Sequence, residues 1–391
     1  MRGVAIADVH LGFPGAGRMV GGRPQREVDV ETAWAAAVEN AIRFGPDLVT
    51  IAGDVFHHPR VSTHAVKAFR DGVHRLVDAG IRVVIAQGNH DAAKTAGTLS
   101  PLHIPDDYPG VFVVTTPSRI KFTCERTGER VAVAVFPYVS MGSGELYRME
   151  PDPSRDVNVL LVHAAVRGDA SGDQLPHFYG ADAAAIDVAR EAERWSVVAL
   201  GDFHEFRRLH PTAPAFYSGS IERTSSNIWA EPGPKGIVGF DTATGELEFI
   251  EHPTRPMFDL DAATAPALDC ALSGAEEVNY CLQLLAADSA VADALVRLQV
   301  HGFPREERDQ VDWALVRELK GRCTLFLLDI EYAAGGLAGA ADRRTAPRRT
   351  LEDEAEARLE GNEPAVRGAV LSLLAATAAE AAAEEEVALV A

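Results

Sequence analysis

Five short stretches of the chain run from apolar residues directly into side chains that bind metal ions. The polar residues that end these stretches are Asp8 and His10, Asp54 and His57, Asn89, His90 and Asp91, His163, and Asp202 and His204. Each stretch has the apolar run of a buried strand, and ligands that follow such strands are expected to meet along one edge of a sheet. The pattern predicts a site at which two divalent metal ions hydrolyse a phosphoester.

A two-metal hydrolase needs one carboxylate that bridges both ions. Asp54 is the natural bridge, because Gly53 before it allows the end of the strand to turn sharply. Asp8 and His10 lie two residues apart on an extended segment, so both side chains can project to one side and hold a single ion. The remaining predicted ligands are Asn89, His163, Asp202 and His204.

Three further residues are candidates for catalysis. His90 is not expected to reach the same ion as its neighbour Asn89, which leaves it free to act on the substrate. We expect in-line attack on phosphorus by an activated water, with His90 protonating the leaving oxygen or stabilising the transition state. Asp91 is expected to orient His90, and His57 to contact a phosphate oxygen or support the proton transfer.

The elements around these residues alternate between strand and helix as far as about residue 252. Apolar spacing predicts helices over residues 29–44 and 61–79, and two apolar runs joined through Thr244 and Gly245 predict a closing hairpin. The expected fold is an α/β layered sandwich over residues 1–252. It is followed by a small α/β domain (253–332), a Gly/Ala/Arg-rich linker (333–350) and a C-terminal helical segment (351–391).

The composition limits the possible partners. The chain has 391 residues, 47% of them hydrophobic, and a formal net charge of −20. This charge argues against binding nucleic acid through bulk electrostatics, so any DNA contact must use a restricted surface, bound cations or a basic partner. Four scattered cysteines predict reduced thiols, and the apolar runs are too short for a signal peptide or a membrane span, so we expect a cytoplasmic protein.

Several motifs resemble a known family. The segments Asp8-Val-His10, Gly53-Asp54, Gly88-Asn-His-Asp91, His163 and Gly201-Asp-Phe-His204 resemble the signature of the calcineurin-like metallophosphoesterases. More narrowly, residues 53–60 and 216–224 look like SbcD, the bacterial and phage counterpart of the meiotic recombination nuclease. This resemblance covers about residues 1–257.

The resemblance implies a four-layer αββα sandwich and a manganese-dependent exonuclease and endonuclease on duplex DNA ends, with magnesium as the other possible metal. It also implies that residues 253–332 cap the site, and that residues 351–391 dock on the coiled-coil root of an SbcC-type, SMC-like ATPase in DNA recombination, repair or replication. A homodimer within a heterotetramer is expected. The implied ligands are Asp8, His10, Asp54 and His204 for one ion, and Asp54, Asn89, His163 and Asp202 for the other.

Some alternatives stay open at this stage. The family usually has histidine where this chain has Asp202, which can ligate a hard cation or can weaken the second ion. Two rival functions remain. One is a weakly active or non-catalytic DNA-end scaffold, and the other is a phosphodiesterase for cyclic nucleotides or other small molecules. The arginines between residues 343 and 349 either contact DNA or form a solvated linker, and the C-terminal apolar stripe either docks a partner or folds back.

Overall fold

The computed structural model describes residues 1–92, 100–105, 107–138, 150–167, 186–261 and 274–333, all within one compact unit, Met1–Ala333. In chain order the strands and α-helices of this part are β1 (Arg2–Ile6), β2 (Met19–Val20), β3 (Arg23–Pro24), α1 (Gln25–Phe44), β4 (Leu48–Ala52), α2 (Thr63–Asp78), β5 (Arg82–Ala86), β6 (Val111–Val114), β7 (Ser118–Thr123), β8 (Arg130–Phe136), β9 (Val157–His163), β10 (Val166–Arg167), β11 (Ile186–Asp187), α3 (Val188–Ala192), β12 (Val197–Gly201), β13 (Arg207–Arg208), β14 (Ala215–Tyr217), β15 (Gly236–Asp241), β16 (Leu247–Glu251), β17 (Met257–Asp261), α4 (Ala275–Ala287), β18 (Leu295–Phe303), α5 (Trp313–Arg322) and β19 (Leu325–Tyr332).

The first large sheet has the strand order β16-β15-β1-β4-β5-β6, and its last four strands run parallel. Helices α1 and α2 cover one face through a core that includes Trp34 and Phe69. The other face packs against a second sheet. Because strand β4 is covered on both faces, all five of its residues are buried and it has a continuous apolar sequence without alternation.

The second large sheet has the order β13-β14-β12-β9-β8-β7, with β8, β9, β12 and β14 parallel. Valines and alanines of β8, β9 and β12 fill the space between the two large sheets. Helix α3 and Trp195 pack on its outer face. The helices and sheets therefore stack as helix, sheet, sheet and helix, which confirms the predicted α/β sandwich.

A third, smaller sheet follows in the chain. Strands β17, β18 and β19 are all parallel, and helices α4 and α5 cover one face through Val296, Leu298 and Val300. Arg255, just before β17, binds Asp29 of helix α1 at 2.7 Å and so connects this region to the first sheet's helix layer. The limits of the predicted capping domain, 253–332, remain a prediction.

The observed helices differ from the predicted ones at their ends. Helix α1 starts at Gln25 rather than at residue 29, because its first turn is buried through polar contacts from Gln25 and Arg26 to Asp29, at 2.9 and 2.8 Å. Helix α5 spans Trp313–Arg322, since the side chain of Asp312 caps its first turn. Apolar spacing alone does not detect either start.

Two further predictions concern the chain as a whole. Within the described ranges, no helix combines the length and the apolar composition needed to cross a bilayer. Among the described residues, Cys124, Cys281 and Cys323 are buried and form no disulfide, and their reduced state in the cell stays a prediction. The linker beyond Ala333 with its arginines, the C-terminal segment 351–391 and Cys270 lie outside the described residues.

Candidate metal centre

The predicted ligands meet where strands of the two large sheets end side by side. Parallel strands β1, β4 and β5 belong to one sheet, and parallel strands β9 and β12 belong to the other. The two sheets touch here, because Nδ1 of His163 lies 2.7 Å from the carbonyl oxygen of Ala52. Side chains from all five strand ends therefore face a common space.

The backbone is strained at several of these residues. Asp8, His10, Asp54 and Asp202 all have positive φ angles, at 49°, 51°, 50° and 101°. Among the described residues other than glycine, Asp293 alone shares this property. Positive φ is uncommon for such residues and clusters at functional sites, where it redirects a side chain at the end of a strand.

One group of side chains gathers around the imidazoles of His10 and His204. Their Nε2 atoms lie 3.2 Å apart. A carboxylate oxygen of Asp8 and one nitrogen from each of these rings all lie within 4.8 Å of one another. Oδ2 of Asp54 is 3.8 Å from Nε2 of His10. This group can hold one cation.

A second group surrounds His163, which is fully buried. Its Nε2 atom lies 2.9 Å from Oδ1 of Asn89, 3.5 Å from Oδ2 of Asp54 and 3.6 Å from Oδ1 of Asp202. The same oxygen of Asp54 thus faces the histidine of each group. The structure brings all seven predicted ligands together at distances that one ion in each group can span.

The positions of the three histidine rings suit metal binding. In the neutral form, an imidazole whose Nδ1 donates a hydrogen bond presents an unprotonated Nε2. Nδ1 of His163 donates to the carbonyl of Ala52, Nδ1 of His204 faces Glu231 at 2.9 Å, and Nδ1 of His10 faces His57 at 3.3 Å. All three rings therefore point Nε2 into the site, as metal-binding histidines with an outer partner do.

Burial and the negative charge of the clustered carboxylates shift the pKa values of groups in the site. Burial raises the pKa of Asp8 to about 6, with Asp54 and Asp202 adding to the increase against the opposing pull of His163 and His204. Burial lowers the pKa of His163, but the surrounding carboxylates, Asp54 first, hold it well above its usual value. A proton on His163 thus offsets part of a negative charge that divalent cations would neutralise.

The candidate catalytic residues lie beside the two groups. Nδ1 of His90 is 2.9 Å from the carbonyl oxygen of His57, which fixes the ring through that nitrogen and leaves Nε2 to act on substrate. The His57 ring stacks on that of His90 with centroids 5.4 Å apart. Burial, then the neighbouring His58 and His90, lowers the pKa of His57 to about 4, so this ring is neutral at neutral pH.

Asp91 has a different position from the expected one. It is fully buried, and its carboxylate accepts hydrogen bonds from the backbone N–H groups of Val55, Phe56 and Gly88 at 3.2, 2.9 and 3.0 Å. The ring of His90 is held by a carbonyl instead. Asp91 therefore joins the turn after Asp54 to the turn that carries His90, and the expectation that it orients the His90 ring directly is corrected.

Sequence reasoning gave no role to the two residues that form the outer support of His204. Glu231 and Lys235 are buried charged residues in the loop between β14 and β15. Their segment is rich in proline and glycine and has no strand or helix periodicity that would mark it. Only the presence of a glutamate and a lysine four residues apart could have suggested an ion pair.

Comparisons with known proteins agree with this geometry. The calcineurin-like phosphoesterase family matches residues 1–206. The DNA double-strand break repair protein Mre11 of Methanopyrus kandleri is 28% identical over 57% of this chain and 49% of its own length. The protein of the same name from Aeropyrum pernix is 28% identical over 66% of this chain and 62% of its own length.

The chain thus spans about half to three fifths of the length of these two relatives. Among solved structures, a dimetal phosphatase from Danio rerio is similar, with 11% identity, coverage of 61% of this chain and 91% of that chain, and a TM-score of 0.37. The family match covers the strands and turns that carry all of the candidate ligands. Because it extends over more than half of the chain, the protein belongs to the calcineurin-like phosphoesterase family.

Proposed function

We propose that this protein is a two-metal phosphodiesterase that cleaves DNA at duplex ends. The observation that carries the proposal is the position of Oδ2 of Asp54, 3.8 Å from Nε2 of His10 and 3.5 Å from Nε2 of His163. A carboxylate oxygen between two ligand groups is the arrangement that a bridged pair of cations requires.

The ligand set suits hard divalent cations. One ion would be held by Asp8, His10, Asp54 and His204, and the other by Asp54, Asn89, His163 and Asp202. Oxygen donors predominate in the second set, which favours manganese or magnesium over metals that prefer soft ligands. When bound, such a pair of cations polarises a phosphoryl oxygen and activates water for in-line attack on phosphorus.

In the proposed reaction, His90 protonates the leaving oxygen. His90 donates from Nδ1 to the carbonyl of His57, so the proton that reaches the leaving oxygen comes from Nε2. The backbone N–H of His90 also donates to Oδ1 of Asp54 at 2.9 Å, which ties the position of His90 to the proposed bridging carboxylate. A shift of either residue therefore disturbs the other.

The choice of DNA as substrate is supported by the relatives, which are named for the repair of DNA double-strand breaks. We further propose that residues 253–332 cap the site and help to select duplex DNA. The C-terminal segment would bind an SbcC-type ATPase, and two copies of the chain would pair within the complex. A basic partner of this kind would supply the positive surface that a chain of net charge −20 lacks.

Digestion of end-labelled duplex and hairpin DNA tests this proposal, with manganese, magnesium or chelator present and with or without the ATPase partner. We expect metal-dependent cleavage that His90→Ala lowers by about a hundredfold or more. His74→Ala, which removes an exposed imidazole from helix α2, is the matched control and should leave the rate unchanged. Unchanged cleavage by the His90→Ala protein would mean that the proposed mechanism is wrong.

A phosphodiesterase for small molecules is the second candidate, and one observation favours it. Exposed arginines pair with carboxylates, as Arg126 does with Asp47 and Arg130 with Asp156, at 2.5 and 2.8 Å. Such pairs weaken the attraction of a surface for DNA phosphates. Hydrolysis of bis-p-nitrophenyl phosphate without any cleavage of duplex DNA, in the presence of the ATPase partner, would favour this second function.

A further inference from the structure

A buried pair of opposite charges lies directly behind His204. Glu231 and Lys235 are only 4% and 2% exposed, although both come from a loop. Burying a carboxylate and an ammonium group is costly unless each finds several polar partners. The partners that these two residues have found show what the pair does.

The contacts converge on the His204 ring and its backbone. Oε1 of Glu231 lies 2.9 Å from Nδ1 of His204. The Lys235 ammonium group donates to Oε2 of Glu231 at 2.6 Å, to the carbonyl oxygen of His204 at 2.7 Å and to Oγ of Ser220 at 2.8 Å. All three of its protons are used, so the lysine fixes both the glutamate and the residue that the glutamate contacts.

The segment of residues 216–224, which the sequence marked out, closes this arrangement. Ser220 accepts from Lys235, and the guanidinium Nε of Arg223 donates to the carbonyl of Glu231 at 3.0 Å. The backbone N–H of Ser225 donates to Oε1 of Glu231 at 2.8 Å. Ser220 and Arg223 of this segment, with Ser225 just after it, therefore surround Glu231 and Lys235 with polar contacts.

The three inward-facing histidines differ in their outer partners. Nδ1 of His163 meets a backbone carbonyl and Nδ1 of His10 meets a neutral imidazole, whereas Nδ1 of His204 meets a carboxylate. A carboxylate partner makes an imidazole a stronger metal ligand than a neutral acceptor does, because it stabilises the positive charge that builds up on the ring.

We infer that Glu231, fixed by Lys235, is a positioning residue that holds the proton of His204 on Nδ1 and strengthens Nε2 as a metal ligand. The inference rests on the proposed two-metal site and adds an outer carboxylate to it. It assigns the effect to one ion, the one shared by Asp8, His10, Asp54 and His204. Loss of Glu231 should therefore weaken one of two bound cations and spare the other.

Titration calorimetry with manganese tests the inference without any substrate. The wild-type protein should bind two ions, and Glu231→Gln should bind one of them about 10 to 100 times more weakly. Glu222→Gln is the matched control, since Glu222 is a nearby buried glutamate whose carboxylate binds Arg26 and the backbone N–H of Arg223. It should keep both wild-type affinities even where it lowers the melting temperature.

Two additional measurements distinguish a loss of metal affinity from a loss of folding. The double variant Glu231→Leu/Lys235→Met removes both charges together, which leaves no unpaired ion in the interior. It should show the same selective loss of affinity. In the metal-free wild-type protein, nitrogen-15 NMR should find a proton on Nδ1 of His204, and an unprotonated Nδ1 would overturn the inference whatever the variants do.

The outcomes separate this inference from the proposed function. Folded Glu231 variants that bind both ions with wild-type affinity would overturn the inference alone. Two bound ions with no cleavage of DNA would overturn the nuclease activity and leave the role of Glu231 standing. A wild-type protein that binds fewer than two manganese ions would remove the basis of both.

Discussion

The substitution Gly88→Ala tests how closely the proposed bridging carboxylate is enclosed. A Cβ atom at Gly88 would lie 2.1 Å from Oδ1 and 2.3 Å from the backbone nitrogen of Asp54. Even a contact of 3.0 Å, which is already too short for a Cβ atom, requires the carboxylate oxygen to move by 0.9 Å (3.0 minus 2.1). That oxygen also accepts the hydrogen bond from the backbone N–H of His90.

A displacement of this size in an active site costs about a hundredfold in rate. This corresponds to about 2.7 kcal/mol of transition-state stabilisation. We expect a loss of that order in the hydrolysis of bis-p-nitrophenyl phosphate with manganese, together with weaker manganese binding by calorimetry. The variant should still unfold cooperatively, because the clash is confined to the turns that follow strands β4 and β5.

Gly321→Ala is the control for this substitution. A Cβ atom at Gly321 in helix α5 would have no neighbour within 4 Å, and alanine stabilises a helix by up to about 1 kcal/mol relative to glycine. This variant should keep full activity and at least wild-type stability. Wild-type activity and metal affinity in a folded Gly88→Ala protein would refute the reasoning, since the carboxylate would then tolerate the displacement.

Three other predictions concern charged residues. Arg26→Met should lower the free energy of unfolding by about 3 to 5 kcal/mol, because it leaves buried carboxylates with fewer partners. Arg130→Met, which removes an exposed charge, should change the urea midpoint little. Equal losses of stability in the two variants would contradict this prediction. Burial raises the pKa of Asp29, but the hydrogen bond from Arg255 and the charge of Arg26 bring it below its ordinary value of 3.8. Its contribution to stability is therefore complete above that pH and is lost as the pH falls below it, so Asp29→Asn should unfold with a flatter dependence on acid in urea titrations. Asp202→His should keep two manganese ions and equal or higher activity, and loss of all manganese binding in calorimetry would count against the proposed ligand position.

The strand ends were predictable from the sequence because two signals coincide there. The first signal is the nearly continuous apolar run of a fully buried parallel strand. The second is a polar ligand residue directly after this run, where the sequence changes from apolar to polar. Val49-Thr-Ile-Ala-Gly-Asp54 shows both, and the structure places β4 and Asp54 accordingly. Parallel strands bring such ends to one edge within each sheet, but local patterns did not show that β9 and β12 belong to a second sheet that meets the first at the site.

The support behind the ligands was not predictable in the same way. Glu231 lies 27 residues after the histidine that it contacts, and Arg26 lies 196 residues before Glu222. Contacts between segments so far apart in the chain leave no periodic pattern in one sequence. The expected role of Asp91 was wrong for a related reason. Its neighbour in sequence, His90, suggested a contact between the two side chains. The actual partners of Asp91 are backbone N–H groups, which every residue type except proline carries.

The clustered carboxylates and strained turns of the site support the proposal of bound cations. Asp8, Asp54 and Asp202 bring three carboxylates to one histidine at 3.8, 3.5 and 3.6 Å, and burial together with the neighbouring charges moves the pKa of Asp8 to about 6. Backbone strain at the four ligands with positive φ adds about 1 to 3 kcal/mol for each residue. Cations that bind only the native state offset these costs, since binding stabilises whichever state holds the ligand. A scaffold that used the site for shape alone would need neither the clustered carboxylates nor the strained turns, so their presence favours a site that binds cations.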